Sequence, residues 1–265
     1  MRWVVVGAGA RSFGYDANGN LLAGNGRALT WNAQNLPTQV TSGGATTSFI
    51  YDGMGERVKK LSAAGTSYHL FGDDYEVTDG VVATYLAVPG LGVVAKRVGT
   101  GMSIQTFWLH TDRLGSINAI TTDGSQYSAG TPVLHRTYAP YGETLSTTGT
   151  LIESRGWIDQ RNDGETGLTY LHARYFDPKL GLFLSPDSLA PTDWTVGTNR
   201  YLYGRGSPLN GSDRSGHQVV TRCTQMGNVI VESTHFDTQT QTELTEVTVT
   251  SGCVAWETDH TRHPQ

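Results

Sequence analysis

The sequence predicts an all-β protein, a strip of antiparallel β-hairpins with a small β-rich tail, and three observations carry that reading. Glycine occupies 33 of 265 positions and only 16% of residues are charged, against about 7% and about 25% in ordinary domains. The apolar share is 37%, so Gly, Thr, Ser and Asn make up the balance, a composition that favours strands and turns over helices. A short unit repeats along the chain. Between its copies apolar and polar residues alternate, as they do in half-buried strands. With 9% aromatic residues and a net charge of −5, the chain has neither the apolar poverty nor the charge excess of a disordered segment.

Residues 1–14 read as an atypical lead. Val4-Val5-Val6-Gly7-Ala8-Gly9-Ala10-Arg11-Ser12 mimics the opening of a dinucleotide-binding fold, but Ser12 stands where the third glycine is needed and no acidic ribose ligand follows. No nucleotide site is expected there. The repeats occupy 15–163. Tyr15-Asp16-Ala17-Asn18-Gly19 recurs as Tyr51-Asp52-Gly53-Met54-Gly55, and Trp31-Asn32-Ala33-Gln34-Asn35 keeps the outline between them. The pattern returns at His110-Thr111-Asp112-Arg113-Leu114-Gly115 and, more weakly, at Tyr138-Ala139-Pro140-Tyr141-Gly142. Each unit is expected to be one hairpin: Asp16, Asp52 and Asp112 bond backbone amides ahead of them, and Gly19, Gly55 and Gly115 supply the positive φ that closes the turn. Asp177 and Gly181 read as another such turn, with Arg174 expected to pair with Asp177.

These repeats, the stretch Trp108-Leu109-His110-Thr111-Asp112-Arg113-Leu114-Gly115-Ser116 and the block from Gly164 through Tyr170-Leu171-His172-Ala173-Arg174-Tyr175-Phe176-Asp177-Pro178 to Asp187 resemble the Rhs (rearrangement hotspot), or YD-repeat, family. The likeness spans roughly 15–216, and 164–216 resembles the family's repeat-associated core. It implies a polymorphic toxin of bacterial origin, in which hairpin strips form part of a β-cocoon around a C-terminal effector. The expected partners are then the rest of that shell or the chain's own tail, with an immunity protein for the tail. The implied location is the cytoplasm before delivery, with export that needs no cleavable signal peptide. The family carries many more repeats, so the chain reads as the C-terminal part of a longer protein or a truncated cassette.

The resemblance also implies chemistry. In the family two aspartates form an aspartic-protease-like pair that cuts the chain once, intramolecularly, just after the second motif. By position these are Asp187 and Asp213, with the scissile bond between His217 and Gln218. Such a pair must share one proton, so that one carboxylate activates water while the other protonates the carbonyl oxygen. Ser188 and Arg214 stand where the family has Pro, and His217 where it has Leu. The separation of 26 positions between the aspartates exceeds the family spacing by a few. Arg214 beside Asp213 is expected to favour its ionised form, and Asp193 is a spare candidate.

The tail, 217–265, holds six acidic residues (Glu232, Asp237, Glu243, Glu246, Glu257 and Asp259) against Arg222 and Arg262. It reads as about three short strands and as a remnant, a small toxin or a cap. Cys223 and Cys253 are equally compatible with a disulfide and with two thiols. With His217, His235, His260 and His263 they lack zinc-site spacing, so no metal and no cofactor are expected. The acidic balance argues against nucleic acid as a partner, and no apolar run is long enough to span a membrane. The alternative function is a non-enzymatic β scaffold or binding module for carbohydrate or protein, with a degenerate aspartate pair.

Overall fold

The computed structural model describes residues 2–5, 11–71, 74–89, 91–101, 103–124, 128, 130–188, 199–217, 220–225, 228–237 and 242–248. Among these residues it is all-β. A 15-stranded sheet runs in strict chain order from β1 (Arg2–Val5) to β15 (Thr144–Gly149), every neighbour antiparallel. The 1–14 lead thus contributes β1 and most of the next strand (Arg11–Tyr15) to this sheet. A second sheet holds β16 (Arg161–Asp163), β17 (Leu168–Leu171), β18 (Arg174–Asp177) and β19 (Leu182–Phe183). A third joins β20 (Gly211–Ser212) to β21 (Val220–Gln225), β22 (Asn228–Asp237) and β23 (Thr242–Thr248).

The repeated unit has one physical construction. The amide of Asp16 donates to the carbonyl of Asn20 at 3.0 Å and that of Gly19 donates back to Asp16 at 3.2 Å. The same two bonds recur at Asn32–Leu36, Asp52–Glu56, Asp112–Ser116 and Ala139–Glu143. Wherever the first residue carries an Oδ1, that oxygen also accepts the amide four residues on, at 2.8–2.9 Å. The turn closes at positive φ, +88° at Gly19 and +59° at Asn35, which explains why Asn substitutes for Gly there. A one-residue register slip accompanies the aromatic at Tyr15, Trp31, Tyr51 and Tyr138. Its ring is turned inward, and its polar atom reaches the carbonyl leaving the preceding turn: Trp31 Nε1 to Leu21 at 2.8 Å, Tyr51 Oη to Pro37 at 2.7 Å, Tyr138 Oη to Ile117 at 2.9 Å. The opposite edge is closed by two-residue turns, Asn25-Gly26, Gly43-Gly44 and Asp79-Gly80, with both residues at positive φ, the geometry that matches strand twist.

The inner face of the strip is covered by the smaller sheet. Phe13, Leu21, Leu29, Val40 and Phe49 of the strip share one buried cluster with Leu168, Tyr170, Tyr175 and Leu184. A second cluster joins Leu114 to Trp157, Phe176, Phe183 and Tyr203, with Trp157 stacked on Phe176 at a centroid distance of 5.5 Å. Ion pairs pin the same face. Arg57 meets Asp163 at 2.5 Å with both side chains 1% exposed, Lys96 meets Glu153 at 2.8 Å, and Arg161 meets Glu76. Burial pushes the Glu76 carboxyl up, but Arg161, Lys96 and His69 more than reverse this and hold it at about 2.

Candidate functional site

The site is assembled by β18. All four of its residues are buried, and strand alternation sends Arg174 and Phe176 to one side and Tyr175 and Asp177 to the other. Tyr175 and Asp177 face the strip, where Asp177 pairs with Arg27 at 2.5 Å and Tyr175 Oη accepts from Arg57 at 3.1 Å. This corrects the expected pairing of Arg174 with Asp177, because residues three apart on a strand point to opposite faces. Asp177 also makes a turn: its Oδ1 accepts the Lys179 amide at 2.9 Å, and its carbonyl accepts the Gly181 amide at 2.9 Å.

Arg174 instead gathers the two candidate aspartates. Its guanidinium lies 3.6 Å above the Phe183 ring with the side chain 4% exposed. Nη2 is 2.8 Å from Asp187 Oδ2 and 3.6 Å from Asp213 Oδ2. Nη1 donates to the Arg200 carbonyl at 3.0 Å, and Nε donates to the carbonyl of Gly216. Asp187 is also fixed through its backbone, its amide donating to the Arg200 carbonyl at 2.9 Å. Asp213 follows β20 directly, its amide donating to Tyr203 Oη at 2.9 Å and its Oδ1 accepting from Ser215 at 3.3 Å. Gly216, at φ +78°, sits where a Cβ would come within 2.4 Å of the Leu171 carbonyl. That close approach holds the 213–217 segment against the β17–β18 hairpin, so residues distant in sequence meet at one guanidinium.

The electrostatics differ from the sequence expectation. Burial pushes the Asp213 carboxyl up to about 6, opposed by Arg174 and by the Gly216 amide, with Asp187 adding to the rise. The net shift is upward, against the fall expected from the neighbouring Arg214. The side chains of adjacent residues diverge, and Arg214 reaches the Leu114 carbonyl at 3.1 Å over Gly115. Burial likewise lowers the Arg174 guanidinium, the two carboxylates opposing it. His217 closes the cluster, with Nδ1 2.9 Å from Asp187 Oδ1. The site opens on a cleft of about 900 Å³ whose lining includes Asn35, Glu56, His172, Arg174, Ser188 and His217. Across it His172 Nδ1 meets Glu56 at 2.8 Å, and Tyr170 Oη donates to the same carboxylate at 3.1 Å.

Among the described residues, no three His, Cys, Asp or Glu side chains gather to hold a metal. Gln218 and Asp193 lie outside the described residues, as do Cys253, His260 and His263; of Cys223 and His235 only the backbone is described. Sequence reasoning missed Arg174 as the organiser. The available signal was an arginine set directly before Tyr175-Phe176 in the aromatic-rich run Tyr170-Leu171-His172-Ala173-Arg174-Tyr175-Phe176.

Residues 4–203 match the Teneurin YD-shell. The chain belongs to that family. Asp187 lies inside the matched span, and Asp213 and His217 lie beyond it. This YD-shell chain is 30% identical over 222 residues to the tRNA nuclease WapA of Bacillus subtilis strain 168, covering 78% of this chain and 9% of that protein. It is 26% identical over 201 residues to double-stranded DNA deaminase toxin A of Burkholderia cenocepacia strain H111, covering 72% of this chain and 13% of the toxin. The YD-shell chain thus spans about a tenth of the length of these curated relatives. Its fold matches the crystal structure of TcdB2-TccC3 with a TM-score of 0.64 at 21% identity, over 76% of this chain and 11% of that one. The same assembly solved without its hypervariable C-terminal region matches with a TM-score of 0.57 at 17% identity, over 78% of this chain and 13% of that one. The chain is therefore a YD-shell of the kind that these longer proteins contain. No helix among its described residues is long and apolar enough to cross a membrane.

Proposed function

We propose that this YD-shell segment encloses and releases the region beyond His217, and that Asp187 and Asp213 cut the bond between His217 and Gln218 once, within the chain. The observation that carries this reading is the convergence of the two carboxylates on Arg174, next to the segment that would be cut. Asp187, the more exposed and the closer to the guanidinium, is the ionised partner. Asp213, buried with its carboxyl at about 6, holds the proton on the acid side of neutrality. Asp187 takes a proton from water, whose oxygen attacks the His217 carbonyl carbon while Asp213 protonates the carbonyl oxygen. Collapse breaks the C–N bond, and the nitrogen of Gln218 leaves with a proton, so one water is consumed. Holding the peptide in the same fold supplies the effective concentration that a slow single turnover needs.

Two relatives are named for acting on tRNA and on double-stranded DNA, and the structural neighbour is named for a hypervariable C-terminal region. A separable cargo beyond the shell agrees with those names. An immunity protein for the cargo and residence in the cytoplasm before delivery belong to the same proposal. The scissile connection lies between β20 and β21, which remain paired at Gly211↔Thr221 and Ser212↔Val220, so a cut chain stays associated until it is unfolded. Denaturing mass spectrometry after incubation at pH 5–6 tests the reading, with a fragment ending at His217 and a partner starting at Gln218 as the expected products. Asp187→Asn and Asp213→Asn should each abolish them, and the double change should be no worse than either single one.

Arg174 favours a second reading, because one cation between both carboxylates also makes a static latch. An intact mass at every pH, unchanged after Ser188→Pro, Arg214→Pro and His217→Leu together, would establish that non-enzymatic alternative and end the first.

A further inference from the structure

The imidazole of His217 contacts the carboxylate that must activate water, and we propose that His217 gates the cut. This inference rests on the proposed cleavage after His217. The residue on the acyl side of the scissile bond is an ordinary substrate position, with no chemical part in hydrolysis. In this chain its Nδ1 lies 2.9 Å from Asp187 Oδ1, while Oδ2 of the same carboxylate is held by Arg174 at 2.8 Å. Both oxygens of Asp187 are thus engaged, and a water can displace the imidazole far more readily than a buried guanidinium. The His217 side chain is 34% exposed against 4% for Arg174, so the imidazole is the arm that opens.

Charge decides when it opens. His217 faces Asp187 from the segment after β19 and Asp213 from its own segment, with Arg174 of β18 behind both; Glu56, His172, Arg200 and Arg214 line the same cleft. As a neutral ring, His217 donates one hydrogen bond to Asp187. As an imidazolium it forms an ion pair with that carboxylate and holds it more tightly. Acidification therefore does two opposed things, placing a proton on Asp213 and tightening the hold on Asp187. A side chain with no donor at 217 should leave Asp187 open to water at every pH.

The test compares the full chain with its His217→Leu and His217→Asn forms, measuring the fragment rate from pH 4 to 8. Losing a hydrogen bond to a charged group predicts that His217→Leu cuts about tenfold to a hundredfold faster and keeps its rate on the acid side. Asn retains a donor near the position of Nδ1 but does not titrate, so His217→Asn should remain slow at neutral pH and lose the acid-side fall. Independently of any cut, the Nδ1 proton of His217 should lose its downfield hydrogen-bonded NMR shift in Asp187→Asn, since the charged acceptor is gone. Equal rates and equal profiles in parent and His217→Leu overturn the gate while leaving the aspartate pair intact. An unchanged Nδ1 proton shift in Asp187→Asn overturns it directly. Absence of cutting in parent, His217→Leu and the triply restored chain removes the aspartate-pair reading, and the gate with it.

Discussion

Asp213 carries its charge at neutral pH against the preference of its surroundings. Its carboxyl lies at about 6 in the fold against an ordinary 3.8, a difference worth about 3 kcal/mol in favour of the protonated form. A raised value means that the folded chain binds this proton before the unfolded chain does. The associated stability is complete below about pH 4 and is lost as the pH rises through 6. Asp213→Asn should therefore raise the unfolding free energy at pH 7 by up to that amount and change it little at pH 4. Chemical denaturation of an uncut background at both values checks this, and an equal effect at both would refute the assignment of the shift to residue 213. The positions of Asp187 and Asp213 were legible as motif residues. Their common contact was not, since nothing local in Asp213-Arg214-Ser215-Gly216-His217 reveals that the guanidinium comes from 174 and not from 214.

At the scale of the hairpin, glycines in equivalent turns do different work. Gly55 and Gly142 both close their turns at positive φ, +88° and +86°. A Cβ on Gly55 would meet only Leu36, at 3.5 Å, whereas one on Gly142 would come within 2.2 Å of the buried Trp157 ring. Gly55→Ala should cost about 1–2 kcal/mol for its backbone alone. Gly142→Ala adds overpacking and should cost about 3 kcal/mol or more. Urea midpoints of the two variants measure the difference. The sequence displayed the Gly55 turn openly, because an aromatic, an Asx residue and a Gly form a local code, and the Gly142 turn only in outline, with Ala139 in the Asx place. It could not show that Trp157 seals one turn and leaves the other open, because that neighbour arrives through tertiary packing.

The whole molecule is held across its inner face by charges that look solvent-facing in the sequence. Arg57 and Lys60 stand three apart, which on an unbroken strand would send them to opposite faces, yet the one-residue slip opposite Tyr51 turns both inward, and both meet Asp163 beneath the smaller sheet. Burial pushes the Asp163 carboxyl up, and Arg57 with Lys60 holds it below the ordinary carboxylate range. Removing one partner leaves the other charge buried, so Arg57→Met should cost about 3–5 kcal/mol. Adding Asp163→Leu should recover much of that loss. A double-mutant cycle on unfolding free energies reads the coupling, and strict additivity would exclude it. These pairs also impose an order in time. Arg27 is made 150 residues before Asp177, an interval of about 10–30 s at common rates of synthesis. Until the later residues emerge, the early hairpins have no means of burying their own cations, and the strip stays open behind the ribosome. The hairpins of β16–β19, made after the strip, are what shut it.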